Sequence, residues 1–180
     1  MQNNKRNTDV ISARSWLAEL LLLRGLYNNT PNGKPLYTYH LTEQEYKELI
    51  EIVSEVLQNK YKYDLAYYES ACFCLFVSEY YRRDYNGNWS WSGPEEILQV
   101  DLTPASRELL TANGMEYWKR EIKNNDKGRD FLGSLFAEGG LPWSQFRDRT
   151  SSFARVVHSG IRNHYKTDDK TRSTLDVLEE

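Results

Sequence analysis

The chain has 180 residues, enough for one domain with its own core. With 23 Lys or Arg against 26 Asp or Glu it is net −3, whereas a dedicated duplex-binding domain is usually basic overall. The hydrophobic share is an ordinary 39%, so the mean hydropathy of −0.74 reflects abundant charge and amide rather than a missing core. Thirteen Tyr and five Trp are many, and such rings favour half-buried positions or an interaction surface.

Met1 to Asp9 is polar and reads as a disordered lead (1–9). It shows none of the basic-then-apolar pattern of an export signal, so the sequons at Asn28 and Asn88 carry no weight. The first helix starts near Asp9 or Ser12 and runs to about Tyr27. Ala13, Trp16, Leu17, Leu20, Leu21 and Leu23 form its packing face, and Gly25 is its stop. Residues 28–35 hold every local loop signal. Leu36 to His40 alternates briefly and reads as an extended piece or small strand. Thr42 and Glu45 have capping-box spacing, and Tyr46, Leu49, Ile50, Val53, Val56 and Leu57 make 42–59 an amphipathic helix. Its other face carries Glu43, Lys47, Glu48, Glu51 and Glu55.

Leu65 to Arg82 is apolar almost all round a helical wheel, so it must be enclosed by other elements and is the central helix. Glu69, Ser70, Ser78 and Glu79 interrupt it too often for a membrane span. Cys72 and Cys74 point about 200° apart on that helix. Buried free thiols there imply a reducing compartment, the cytoplasm. After the turn at Asn86-Gly87-Asn88, Trp89 and Trp91 precede a short helix at Pro94. They are either a plug that seals the bundle or an aromatic contact for a ligand or base.

Thr103-Pro104 starts another helical stretch, with Leu109, Ala112, Met115, Trp118 and Ile122 as its apolar set. Asn113-Gly114 predicts a break or sharp kink in it. Residues 129–138 form a helix ended by Gly139-Gly140. The last helix runs from about Pro142 to Lys166. Trp143, Phe146, Thr150, Phe153, Val157 and Ile161 make its apolar stripe, and Arg147, Ser151, Arg155, His158, Arg162 and Tyr165 share a sector about 80° wide. Residues 145–172 hold seven Lys or Arg against three Asp, which makes them +4 in a chain that is −3 and leaves −7 for the rest. This separation of charge is the main functional signal. Arg147, Arg155, His158, Arg162 and Lys166 can grip phosphates through charge-assisted bonds, dock an acidic protein surface, or pair within the domain. A polar, acidic tail follows (167–180).

Signals of catalysis are sparse. The three histidines, His40, His158 and His164, show no metal-ligand spacing, and no cofactor or metal is implied. Glu69 and Glu79 are the two carboxylates on the apolar helix. Glu79 can pair with Arg82 or Arg83 at helical spacing, whereas Glu69 needs a tyrosine or an arginine from the last helix, or else is the centre of a hydrolase.

The elements Ser78-Glu79-Tyr80-Tyr81-Arg82-Arg83-Asp84-Tyr85, Trp89-Ser90-Trp91, Phe131-Leu132-Gly133-Ser134-Leu135 and Gly139-Gly140-Leu141-Pro142 resemble the N-terminal region of large bacterial proteins carried on mobile, phage-defence islands. The resemblance covers about residues 13–146. It implies a recognition or adaptor module of an antiviral defence system that docks a larger protein of that system. A nucleic-acid-binding accessory protein is the alternative. The expected fold is all-α, an orthogonal bundle of about six or seven helices around 65–82, forming one domain over 10–166.

Overall fold

Three of the helices start where a side chain satisfies the orphan amides of a first turn. In the computed structural model, which describes residues 12–59, 67–123 and 131–147, the Ser12 hydroxyl accepts from Ser15 N to begin α1 (Ala13–Leu23). Thr42 and Glu45 form the full capping box of α2 (Glu43–Gln58), and Thr103 accepts from Ser106 N to begin α5 (Pro104–Tyr117). With α3 (Tyr67–Asp84), α4 (Ser92–Leu98), α6 (Leu132–Gly139) and α7 (Trp143–Arg147), the described residues form seven α-helices and no strand. The fold is all-α, as its patterning predicts.

α3 is the hub. Every residue from Ser70 to Glu79 is buried, which covers all directions round the helix. It packs against α1, α2, α5, α6 and α7, while α4 lies on α2. Phe73, Leu75 and Phe76 are fully enclosed, and each such side chain contributes about 1.5–3 kcal/mol relative to exposure. The helix runs two residues past its predicted end, to Asp84, with Arg82 and Arg83 in a last turn where the dipole favours cations.

Two elements depart from the sequence expectation. Leu36–Tyr39 is a turn of 3-10 helix, not a strand. Its apparent alternation arises because Leu36 and Tyr39, three apart, eclipse on one side of such a turn and are both buried. The Thr38 hydroxyl reinforces it by donating to Pro35 O at 2.7 Å.

The second departure is Asn113-Gly114, which α5 crosses as one helix. Gly114 is there for contact rather than for turning: a Cβ on it would collide with Ser70 O and lie 2.5 Å from Cys74 Sγ. α5 thus approaches α3 backbone to backbone. Of the expected apolar set, Met115 and Trp118 are buried, but the Leu109 position is not. Leu109 is 52% exposed, and Leu110, Thr111, Met115 and Trp118 face inward. Gly139 plays the same part for α6, since a Cβ there would lie 2.5 Å from Ser78 O.

Candidate functional site

The residues proposed from sequence fall in three places. Arg147 is the last described position, at the end of α7. Arg155, His158, Arg162 and Lys166 lie outside the described residues, as do the 1–9 lead and the 167–180 tail. Trp89 and Trp91 are half-buried against the aromatic side of α3. The Trp91 indole lies nearly parallel to Phe73, with centroids 6.4 Å apart, and Trp89 meets Tyr80 edge-on at 5.6 Å and Phe136 at 4.9 Å. Much of each ring is therefore already in contact with this domain.

The carboxylates show what the charged groups of the body do. Glu79 is 1% exposed and its Oε2 accepts from Arg82 Nη2 at 2.6 Å and Arg83 Nε at 3.0 Å. Both partners foreseen from helical spacing are therefore engaged. Arg83 reaches further, donating to Glu43 at 2.8 Å and to Leu41 O at 2.7 Å. Its guanidinium lies 4.5 Å from the Tyr46 ring, and both Arg82 and Arg83 lie 5.1 Å from the ring of Trp143. Trp143, expected in the buried stripe, is 36% exposed.

Glu69 differs. Its Oε2 is buried and has no hydrogen-bond partner among the described residues, in the first turn of α3 where the dipole favours a carboxylate.

Sequence reasoning missed three further pairs. Glu138, 3% exposed, accepts both from Arg120 Nε, at 2.9 and 3.0 Å, and from the Leu36 amide at 3.1 Å. Arg120 also donates to Gly33 O at 2.8 Å. Arg24 forks onto Glu45 at 2.9 and 2.7 Å and donates to Tyr39 O and His40 O. Burial acts to raise the Glu45 carboxyl, but bonds from Arg24 and Thr42 outweigh it and hold the group below the usual range. Arg107 pairs with Glu95 at 2.6 Å and covers Trp91 at 4.8 Å. One signal was available for Glu138: an acid in the last turn of a helix opposes the dipole and calls for a cationic partner.

Each of these pairs joins two separate elements, so the guanidinium groups act as ties within the domain. The thiols are equally enclosed. Cys72 and Cys74 are free and buried, and burial pushes both well above the ordinary thiol range. Among the described residues no group of three or more His, Cys, Asp or Glu is placed to hold a metal, and no helix is long and apolar enough to cross a membrane. An open cleft of about 510 Å³ lies between Gly25, Tyr27, Pro31 and Lys119, lined by one cation and otherwise neutral groups.

Residues 3–141 match the family described as the YjiT N-terminal domain. The chain is also 37% identical over 163 residues to Protein YjiT of Escherichia coli (strain K12), across 87% of this chain and 30% of that protein. It thus spans less than a third of its relative's length. No solved structure matches. A family match that begins in the N-terminal lead and ends just beyond α6 takes in almost the whole described body, and the chain belongs to the YjiT N-terminal domain family.

Proposed function

We propose that this chain is a non-catalytic recognition module of a bacterial anti-phage defence system, acting in the cytoplasm. Its role is to dock a larger protein of that system. The contact surface is the basic run carrying Arg147, Arg155, His158, Arg162 and Lys166, which also gives a phosphate-bearing phage component something to grip. The observation that carries this reading is the separation of charge: residues 145–172 are +4 in a chain that is −3. In the described body Arg24, Arg82, Arg83, Arg107 and Arg120 are each tied to a carboxylate of the same domain. Two further observations support it. The relative for which the match covers 30% is a much longer protein, which suits a module working beside further domains. The enclosed free thiols suit a reducing compartment.

The test is affinity capture of the tagged chain from a phage-challenged bacterial host, with nuclease, beside the variant Arg155→Glu/Arg162→Glu. A stoichiometric protein partner that survives nuclease and is lost in the variant, with the melting temperature shifted by less than about 2 °C, is the expected result, since the proposal gives these charges to the partner rather than to the fold. Undiminished capture by the variant sinks the proposal. Recovery of nucleic acid alone, with affinity falling steeply as salt rises, replaces it with a phosphate-backbone binder. In that case the basic run rather than the Trp89-Trp91 pair is the main contact, because those indoles already pack on Phe73, Tyr80 and Phe136.

A further inference from the structure

The sequence holds three Asn-Gly pairs, beginning at Asn32, Asn86 and Asn113. In such a pair the following amide nitrogen can attack the asparagine side chain, because glycine puts no Cβ in the way. Whether it does so depends on the fold, and the three pairs are held differently. Asn113 and Gly114 lie inside α5, whose ladder fixes the Gly114 amide, and Gly114 is buried against Ser70 O. Asn32 is exposed, but its Oδ1 accepts from Lys34 N at 3.0 Å and from the Tyr39 hydroxyl at 3.5 Å. Gly33 O is held from across the domain by Arg120, which Glu138 anchors in turn. Asn86 is the contrast. It and Gly87 are both exposed, and a Cβ on Gly87 would meet nothing within 4 Å. Among the described residues the Gly87 amide has no hydrogen-bond acceptor. The bonds that shape this turn are local: Asn88 N donates to Asn86 Oδ1 at 3.4 Å, and the Tyr85 hydroxyl donates to Gly87 O at 2.9 Å.

We propose that Asn86 is a site of spontaneous modification, at which the folded chain converts the asparagine to aspartate and isoaspartate. The Gly87 nitrogen gives up its proton and bonds to Asn86 Cγ, the Cγ–Nδ2 bond breaks, and ammonia leaves with that proton, closing a succinimide ring. Water then opens the ring at one carbonyl or the other, giving isoaspartate or aspartate. The net change is one water taken up and one ammonia released, with nothing oxidised or reduced. Freedom of the turn selects the site, because ring closure requires Gly87 N and Asn86 Cγ to meet. At Asn86 only local bonds have to rearrange. At Asn32 the bonds to Tyr39 and Arg120 must be broken, and at Asn113 α5 must part from α3. Either product places a carboxylate close behind Asp84, at the end of α3 where the dipole disfavours anions. Isoaspartate also adds a methylene to the main chain inside the span that the Tyr85 hydroxyl bridges, which disturbs the hold of Tyr85 on Tyr81 and Phe136.

The experiment is incubation of the full chain in mildly alkaline buffer, which favours loss of the amide proton, both folded and in urea. Peptide mass spectrometry, with fragmentation that separates isoaspartate from aspartate, follows each asparagine over time. In the folded chain Asn86 is expected to convert at least about tenfold faster than Asn32 and at least about a hundredfold faster than Asn113. In urea the three rates should come within about threefold of one another, since the fold no longer distinguishes the pairs. Isoaspartate in the Asn86 peptide marks passage through the ring, because direct hydrolysis of the side chain gives aspartate alone. Conversion at Asn86 in the folded chain no faster than at Asn32 or Asn113 overturns the proposal. A ranking that persists unchanged in urea, or aspartate formed without isoaspartate, overturns it as well.

Discussion

Gly114→Ala isolates the backbone contact between α5 and α3. On helix propensity alone the change is favourable by about 1 kcal/mol, because alanine is the best and glycine one of the poorest residues in a helix interior. The structure reverses the sign. The added methyl would meet Ser70 O and lie 2.5 Å from Cys74 Sγ, and a main-chain carbonyl cannot rotate away as a side-chain end can. Relief requires α5 to move off α3, loosening Leu110, Met115 and Trp118, all fully buried. Overpacking of a core costs about 1–3 kcal/mol; an immovable neighbour places this site near 3, so after the propensity gain about 2 kcal/mol of stability is lost. For a domain of this size that lowers the melting temperature by about 4–8 °C. Urea titration followed by far-ultraviolet circular dichroism measures it, with Asn113→Ala on the same helix as control, expected to gain about 0.5 kcal/mol. A Gly114→Ala protein as stable as its parent would refute the close-approach account and revive the view of Asn113-Gly114 as turn chemistry.

Four more predictions follow from the carboxylates, thiols and phenols. Glu138→Ala leaves the Leu36 amide and Arg120 Nε without their acceptor, while Arg120 Nη1 keeps Gly33 O, and thermal melts should show a loss of about 2–4 kcal/mol, short of the fully buried case because Arg120 is 29% exposed; a loss below about 0.5 kcal/mol would mean water replaces the carboxylate freely. Cys72 and Cys74 should react with a thiol reagent at pH 8 at least about a hundredfold more slowly in the folded protein than in denaturant, and prompt native labelling would contradict their burial. In pH titrations of stability, the folded state keeps thiol protons that the unfolded chain releases above about pH 8.5, so stability should fall as pH rises past that point, with the raised phenols of Tyr39, Tyr46 and Tyr117 adding to the fall above about pH 10. At the acid end, the lowered Glu45 carboxyl contributes stability that is present above its unfolded value and is lost as pH falls through its folded one; Arg24→Gln should flatten that limb.

What could be read from the sequence was whatever a repeating pattern or a local cap encodes. The all-round apolar run gave the enclosed hub, and Thr42 with Glu45 gave the start of α2 to the residue. Glu79 with Arg82 and Arg83 was legible because its partners lie three and four residues away. Glu138 was not, since its partners Arg120 and Leu36 come from elements whose adjacency is a tertiary fact. Gly114 misled for a related reason: the glycine required by a neighbouring backbone looks, in one dimension, the same as the glycine required by a turn. Leu109 and Leu110 show the limit of periodicity, because adjacent leucines leave the phase of a helix face undecided until its neighbour is in place. The candidate basic face was assembled from spacing alone, and four of its five residues lie outside the described region.

The Glu138 tie also bears on how the protein is made. Leu36 N meets its acceptor only across a sequence separation of 102, and Gly33 O meets Arg120 across one of 87. At about 5–20 residues per second, roughly 5–20 s of synthesis separate the emergence of Leu36 from that of Glu138. From the completion of α3 at Asp84 to the end of that interval, the ribosome holds a chain whose apolar hub lacks α6, with Ser78 and its neighbours uncovered on that side. A nascent chain released short of residue 139 should therefore remain a chaperone client, while one that carries α6 clear of the ribosome completes its core and lets go.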